Sequence, residues 1–198
     1  GPLGTNCYVI GDKKVGEAVI IDPASTEVLE ALKKYDLKPK AVLLTHGHGD
    51  HIGGVQGIVD AYDIPIYIQH DDVKYLSDPE LNLSNYSNPT PIIVKGRIEE
   101  VREGDHITCG SVDLTVYETP GHTPGGVCYY MPGLVFVGDT LFNQSIGRTD
   151  FVEGDYDTLI DAIKTKLYTL PDETMVYPGH GPETQIGYEK QYNPFVGA

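Results

Sequence analysis

Tryptophan is absent from these 198 residues, and positive charge is scarce. Fourteen Lys and Arg stand against 29 Asp and Glu, for a formal net charge of −15. Only three residues are arginine: Arg97, Arg102 and Arg148. That scarcity argues against broad binding to nucleic acid or to an anionic membrane, both of which need basic patches. It leaves room for a local basic pocket. No apolar run approaches the roughly 20 residues of a membrane-spanning helix. The three cysteines, Cys7, Cys109 and Cys128, lie far apart and form no CxxC pair. Three reduced thiols are expected, not a cysteine zinc site. No secretory leader is visible, although the first residue is Gly1 and not Met. The expected compartment is the cytoplasm.

The length suits one domain over residues 1–198, with enough chain to bury a core. Cys7–Ile10 and Ala18–Ile21 read as strands joined by a Gly and Asp turn. Ser25 or Thr26 is placed to cap a helix reaching Tyr35. Pro39 imposes an extended entry into a strand over Ala41–Leu44. Gly54–Tyr62 reads as a short helix and Ile64–Ile68 as a strand, so the front half alternates as layered α/β folds do. A short helix and a polar loop follow between Asp71 and Asn88, an exposed insertion able to border a site. From residue 92 the pattern turns to short strands: Ile98–Val101, His106–Cys109, Val112–Tyr117, Val127–Tyr130 and Leu134–Val137. Asp155–Leu167 has the apolar stripe of a helix, and Thr174–Tyr177 is a last strand. The two halves share an outline, which suggests two sheets packed face to face with helices outside.

Chemistry concentrates directly after Ala41–Leu44. Thr45-His46-Gly47-His48-Gly49-Asp50-His51 packs three imidazoles and a carboxylate into six positions. First-row divalent metals accept both ligand types, and glycine lets a loop fold tightly enough for them to converge. His122, in Thr119-Pro120-Gly121-His122-Thr123-Pro124-Gly125-Gly126, also follows a strand. So do Asp139, in Gly138-Asp139-Thr140, and His180, in Tyr177-Pro178-Gly179-His180-Gly181-Pro182. Loops at strand ends along one sheet edge can meet at one place. His70 and His106 lie outside any such loop and are expected to be solvated or hydrogen-bonded.

These motifs, in this order, resemble the metallo-β-lactamase-fold hydrolase superfamily and, within it, the glyoxalase II-like (hydroxyacylglutathione hydrolase-like) branch. Leu141-Phe142 and Ser145-Ile146-Gly147-Arg148-Thr149-Asp150 belong to the likeness, as do Asn6-Cys7-Tyr8 and Asn193-Pro194-Phe195. The resemblance implies a four-layer αβ/βα sandwich with two divalent metal ions at one edge. Zinc is expected, and iron or manganese also suits the ligand set. His46, His48 and His122 would hold one ion, Asp50, His51 and His180 the other, and Asp139 would bridge them. The implied chemistry is hydrolysis of a small acyl thioester. A hydroxide shared by the metals attacks the carbonyl carbon, and Asp50 orients it or accepts its proton. Phe142, Ile146 and Arg148 are candidates to face the substrate, with an Arg148–Asp150 ion pair as the alternative. The covering loop around Tyr86 is expected to be plain solvated surface.

Full-length glyoxalase II enzymes carry a C-terminal helical domain that supplies much of the glutathione-binding surface. Eighteen residues follow His180, so the likeness is to the form without that domain. Two rivals keep these motifs: a mononuclear-iron persulfide dioxygenase and a lactonase. Asp139 together with His180 disfavours the usual zinc β-lactamase pattern. The expected partner is a small-molecule thioester, with no nucleic acid and no membrane. Asp139→Asn is expected to lower metal occupancy and activity together while the chain stays folded; wild-type turnover by that variant would refute the bridging role.

Overall fold

The computed structural model describes residues 3–197. Its first sheet contains β1 (Tyr8–Asp12), β2 (Glu17–Ile21), β3 (Lys38–Leu43), β4 (Ile66–Gln69) and β5 (Ile98–Val101), in that spatial order. β1 and β2 pair antiparallel, and the other neighbours pair parallel. Helices α1 (Val28–Tyr35), α2 (Gly49–Ile52) and α3 (Val55–Tyr62) lie between these strands in sequence. α4 (Ser84–Ser87) falls in the long β4–β5 connection.

The second sheet is built from β6 (His106–Cys109), β7 (Val112–Glu118), β8 (Val127–Met131) and β9 (Leu134–Gly138). A small ribbon of β10 (Leu141–Phe142) and β11 (Ser145–Ile146) follows, then α5 (Tyr156–Thr165). β12 (Met175–Pro178) and β13 (Thr184–Gln185) complete the sheet, and α6 (Ile186–Tyr192) covers it. The order across the sheet is β13-β12-β9-β8-β7-β6. Only β12 and β9 pair parallel; the rest are antiparallel.

Alternation along the strands sorts the side chains into three apolar layers. In β2, Ala18 and Ile20 point outward to α1 and α3, where Leu32, Val55 and Ile58 are buried with them. Val19 and Ile21 point the other way, to meet Leu114, Val116, Tyr129 and Phe136 of the second sheet. On that sheet's far face, Val135, Val137 and Val176 pack with Leu159 and Ile163 of α5 and Ile186 of α6. The result is helices, sheet, sheet, helices: the four-layer α/β sandwich. Strands buried on both faces explain why β2 and β3 read as continuous apolar runs and not as alternating ones. Each of these buried aliphatic side chains contributes about 1.5–3 kcal/mol relative to exposure.

Several boundaries differ from the sequence expectations. α1 starts at Val28, and neither Ser25 nor Thr26 caps it. Gly54 N donates to Pro23 O, and a Cβ on Gly54 would meet Ser25 at 2.4 Å, so residues 23–25 are held against the start of α3. β3 begins at Lys38, with Pro39 inside it, on a sheet whose pairing shifts register at that point. α6, β13 and the ribbon were not visible as periodic segments, being two to seven residues long. Among the described residues, no helix is long and apolar enough to cross a membrane. All three cysteines are free thiols.

Candidate metal centre

Five loops leave the strands at one edge and converge. Asp22 follows β2, the His46–His51 cradle follows β3, and His122 lies beyond β7. Asp139 follows β9 and His180 follows β12. The cradle is part loop and part helix. His48 stands at the start of the single turn α2, with extended backbone angles. That turn carries Asp50 and His51 round to the side away from His48. Gly47 is required here, because a Cβ would come within 2.3 Å of Tyr75 Cβ. Gly179 is required for the same reason, since its Cβ would meet Asp139 Oδ1 at 2.2 Å.

Two groups of ligand atoms result. His46, His48 and His122 present nitrogens within 4.8 Å of one another, as do the ligand atoms of Asp50, His51 and His180. Asp139 reaches both groups. Its Oδ1 is 3.3 Å from His51 Nε2, and its Oδ2 is 3.6 Å from both His122 Nε2 and His180 Nε2. A third combination, Asp22 with His46 and His51, is close enough by distance alone. Asp22 is spent otherwise: it accepts from Thr45 N (2.8 Å), Thr45 Oγ1 (2.6 Å) and His51 Nδ1 (2.9 Å).

The partner of each outer ring nitrogen decides which nitrogen faces inward. His51 Nδ1 donates to Asp22, so Nε2 is the free atom. His122 Nδ1 donates to Arg148 O at 2.6 Å. His46 Nδ1 lies 3.1 Å from Thr45 Oγ1, whose own proton goes to Asp22. His48 Nδ1 lies 3.0 Å from His122 Nε2, so a proton on Nδ1 makes this a hydrogen bond and its loss leaves two lone pairs facing a shared cation.

Whether the donor set fits a cation is decided by its orphans. His46 Nε2, His51 Nε2 and Asp139 Oδ1 are buried with no hydrogen-bond partner. Leaving such groups unpaired costs about 1–3 kcal/mol each. His51 Nε2 and Asp139 Oδ1 face each other at 3.3 Å without a well-formed bond, and with His46 Nε2 they gather at one point three atoms of the kinds that ligate divalent cations once His51 gives up its proton. Charge follows burial and neighbours. Burial and the surrounding imidazoles push His46 well down, and burial with His122 takes His48 to about 3. Burial also lowers His122 despite Asp139. These three are neutral and offer lone pairs. Burial opposes charge on His51, but Asp139 and Asp22 outweigh it and raise it well above its ordinary value. The Asp50 hydrogen bond raises His180 against burial. Burial would lift Asp50 and Asp139, yet the histidines hold both below the usual carboxylate range.

Three residues that the sequence reading passed over help to build the site. Asp22, read as a strand-ending aspartate, takes a left-handed turn (φ +49°), a conformation aspartate tolerates, and orients His51 and Thr45. Asp72 is fully buried and accepts from Gly47 N, Thr123 Oγ1 and Gly125 N at 2.7–2.9 Å, tying the cradle to the His122 loop. Burial lifts its carboxyl to about 6. Phe151 packs edge-on against His48 and His122. An Asp-Pro after an apolar strand was the available signal for Asp22. Asp72 had none, because its partners are remote in sequence.

The end motifs act as fasteners. Thr5 Oγ1 donates to Asp50 Oδ2, and Asn6 binds the backbone of Pro178, Gly179 and Gly181 around His180. Asn193 Nδ2 donates to Ser145 O. Phe142 and Arg148 line a cavity of about 480 Å³ over the ligand atoms. Ile146 does not line it; its side chain packs with the outer core beneath α5. Arg148 makes the bidentate pair with Asp150. Tyr86 is exposed, but with Leu83 it forms a cavity wall, so this loop is more than solvated surface. His70 and His106 are exposed and paired to Glu100 and Asp113.

A family model described as the metallo-beta-lactamase superfamily matches residues 1–180. "Probable metallo-hydrolase YqgX" of Bacillus subtilis is 39% identical over 99% of this chain and 94% of its own. "Hydroxyacylglutathione hydrolase GloC" of Haemophilus influenzae is 36% identical over 96% and 92%. Among solved structures, BLEG-1, described as a B3 metallo-beta-lactamase, has a TM-score of 0.92 at 42% identity, covering 100% of this chain and 97% of its own. TTHA1623 in a di-iron-bound form has 0.87 at 36%, covering 98% and 96%. ETHE1 from Myxococcus xanthus has 0.78 at 32%, covering 98% and 80%.

His and Asp clusters on this fold indicate divalent metal ions. Asp22→Asn keeps the volume but removes the anionic acceptor behind His51. Metal affinity, read by chelator competition, is expected to fall about 10- to 100-fold with the fold retained; unchanged affinity would mean that His51 is oriented without Asp22.

Proposed function

The chain belongs to the metallo-beta-lactamase superfamily and is a metallo-hydrolase of it, and on that premise we propose that it hydrolyses small acyl thioesters at a two-metal centre. The observation that carries the centre is Asp139, one carboxylate within 3.6 Å of atoms from both ligand groups. His46, His48 and His122 would hold one cation, and Asp50, His51 and His180 the other. Zinc is the metal proposed here on its affinity for a mixed imidazole and carboxylate set; the di-iron form of a similar structure supports iron as the competitor. Cations bound there lower the pKa of a water and polarise a carbonyl.

The chain's own residues do the remainder. Asp50 faces the cavity, held at Oδ2 by Thr5 Oγ1, and would hold or take a proton at its other oxygen. Asp22 and Asp72 keep the imidazoles in place, so no rearrangement is needed when substrate arrives. Phe142, Phe151 and Leu83 limit the water that reaches the ligand atoms. The likeness to GloC over nearly its whole length supports a thioester as substrate. The mononuclear-iron dioxygenase remains the second reading, because it would use the same side chains.

A panel separates the readings: S-lactoylglutathione and simpler acyl thioesters, a lactone, nitrocefin and glutathione persulfide with oxygen monitored. Thioester hydrolysis without oxygen uptake is the expected outcome. Stoichiometric oxygen consumption with the persulfide, in protein carrying one iron, would overturn it.

A further inference from the structure

Resting on the thioester reading, we infer that the substrate's acyl group is an apolar chain and that its thiol half carries no carboxylate, because the cavity above the ligand atoms offers a carbon wall and its one guanidinium is already paired. The cavity of about 480 Å³ is of a size that takes a small ligand whole. Leu83, Tyr86, Phe142 and Phe151 face the ligand atoms across it. Arg148 is the one Lys or Arg in the lining among the described residues. It is already engaged. Its Nε and Nη2 donate to Asp150 at 2.8 and 2.7 Å, and its guanidinium stacks on Phe151 at 4.2 Å. Glu80 stands behind the wall and accepts from Tyr86 OH at 2.5 Å. Asp150 and Glu80 do not line the cavity, but each is bonded to a residue that does, so two carboxylates accompany the one guanidinium. A thiol half with two carboxylates, such as glutathione, would be desolvated there without a partner.

Leu83 supplies an independent observation. Its φ is +62°, a conformation a branched side chain rarely adopts. The neighbouring Asn82 is fully buried and locks it. Asn82 Nδ2 donates to Tyr75 O and Ile92 O at 2.8 and 3.0 Å, and its Oδ1 accepts from Ser84 N at 3.0 Å. Glycine would occupy position 83 without strain. A leucine held there, with its side chain on the cavity, fits a wall that apolar substrate presses against. Burial on that wall raises kcat/KM by about fourfold per methylene when the methylene is fully covered.

The test uses the metal-loaded protein with acetyl, butanoyl and hexanoyl thioesters of N-acetylcysteamine, and with S-lactoylglutathione. From acetyl to hexanoyl, kcat/KM is expected to rise about tenfold or more, and the hexanoyl thioester to exceed S-lactoylglutathione by a similar factor. A smaller rise, or a preference for S-lactoylglutathione, overturns the inference and leaves the thioester reading standing. Hydrolysis of none of the four overturns that reading, and the inference with it. Leu83→Gly relieves the backbone, so its melting temperature is expected to hold or rise while the chain-length gain drops; a gain retained in L83G overturns the wall. Calorimetry with the non-hydrolysable methyl and hexyl thioethers of N-acetylcysteamine reads the same contact without turnover. Tighter binding of the hexyl compound is expected, and equal affinities overturn the inference.

Discussion

His46 Nε2, His51 Nε2 and Asp139 Oδ1 lie out of water without a well-formed hydrogen bond, although the last two face each other at 3.3 Å. A folded chain seldom leaves such groups, because each unpaired atom forfeits its hydration. Much else in the molecule is arranged around that concentration of unsatisfied bases. Asp22 holds the back of His51, Arg148 O the back of His122, and Thr45 the back of His46. The inward nitrogens are therefore fixed in position before any ion arrives.

The two sheets make this possible. Parallel strands β2 and β3 deliver Asp22 and the cradle to one edge, and the second sheet delivers His122, Asp139 and His180 to the same edge. Links between the sheets keep the edges in register. Tyr129 OH donates to Leu44 O at 2.8 Å, and Val127 N donates to Thr45 O at 2.8 Å. Both bonds land on the residues just before His46. Packing between the sheets is thereby coupled to the geometry of the ligand loops.

The convergence of the seven ligand candidates was legible in the sequence because each lies in a short Gly- or Pro-rich motif directly after an apolar strand. The alternation of β2 and β3 with α1 and α3, and the later run of hairpins, was legible for the same local reasons. Asp72 was not, since its value lies in donors 25 to 53 positions away, at Gly47, Thr123 and Gly125. α2 is not legible as a helix, because four residues, Gly49 to Ile52, are too few to show a helical period. The polar segment around Tyr86 reads as an exposed insertion able to border a site, and Tyr86 is exposed as expected; the contact of Leu83 and Tyr86 with the cavity depends on the packing of Asn82, which the sequence does not display. Ile146 flanks Arg148 in sequence, yet the two-residue strand β11 sends its side chain into the core.

Ligand geometry and cavity chemistry thus separate cleanly. The first is encoded in motifs and the second in one loop and a few aromatic side chains. In the proposed centre, two cations would share Asp139 at this edge. Calorimetric metal titration of chelator-stripped protein, with elemental analysis of the saturated sample, tests it most directly. Saturation at two divalent ions per chain is expected; saturation at one would contradict a shared Asp139.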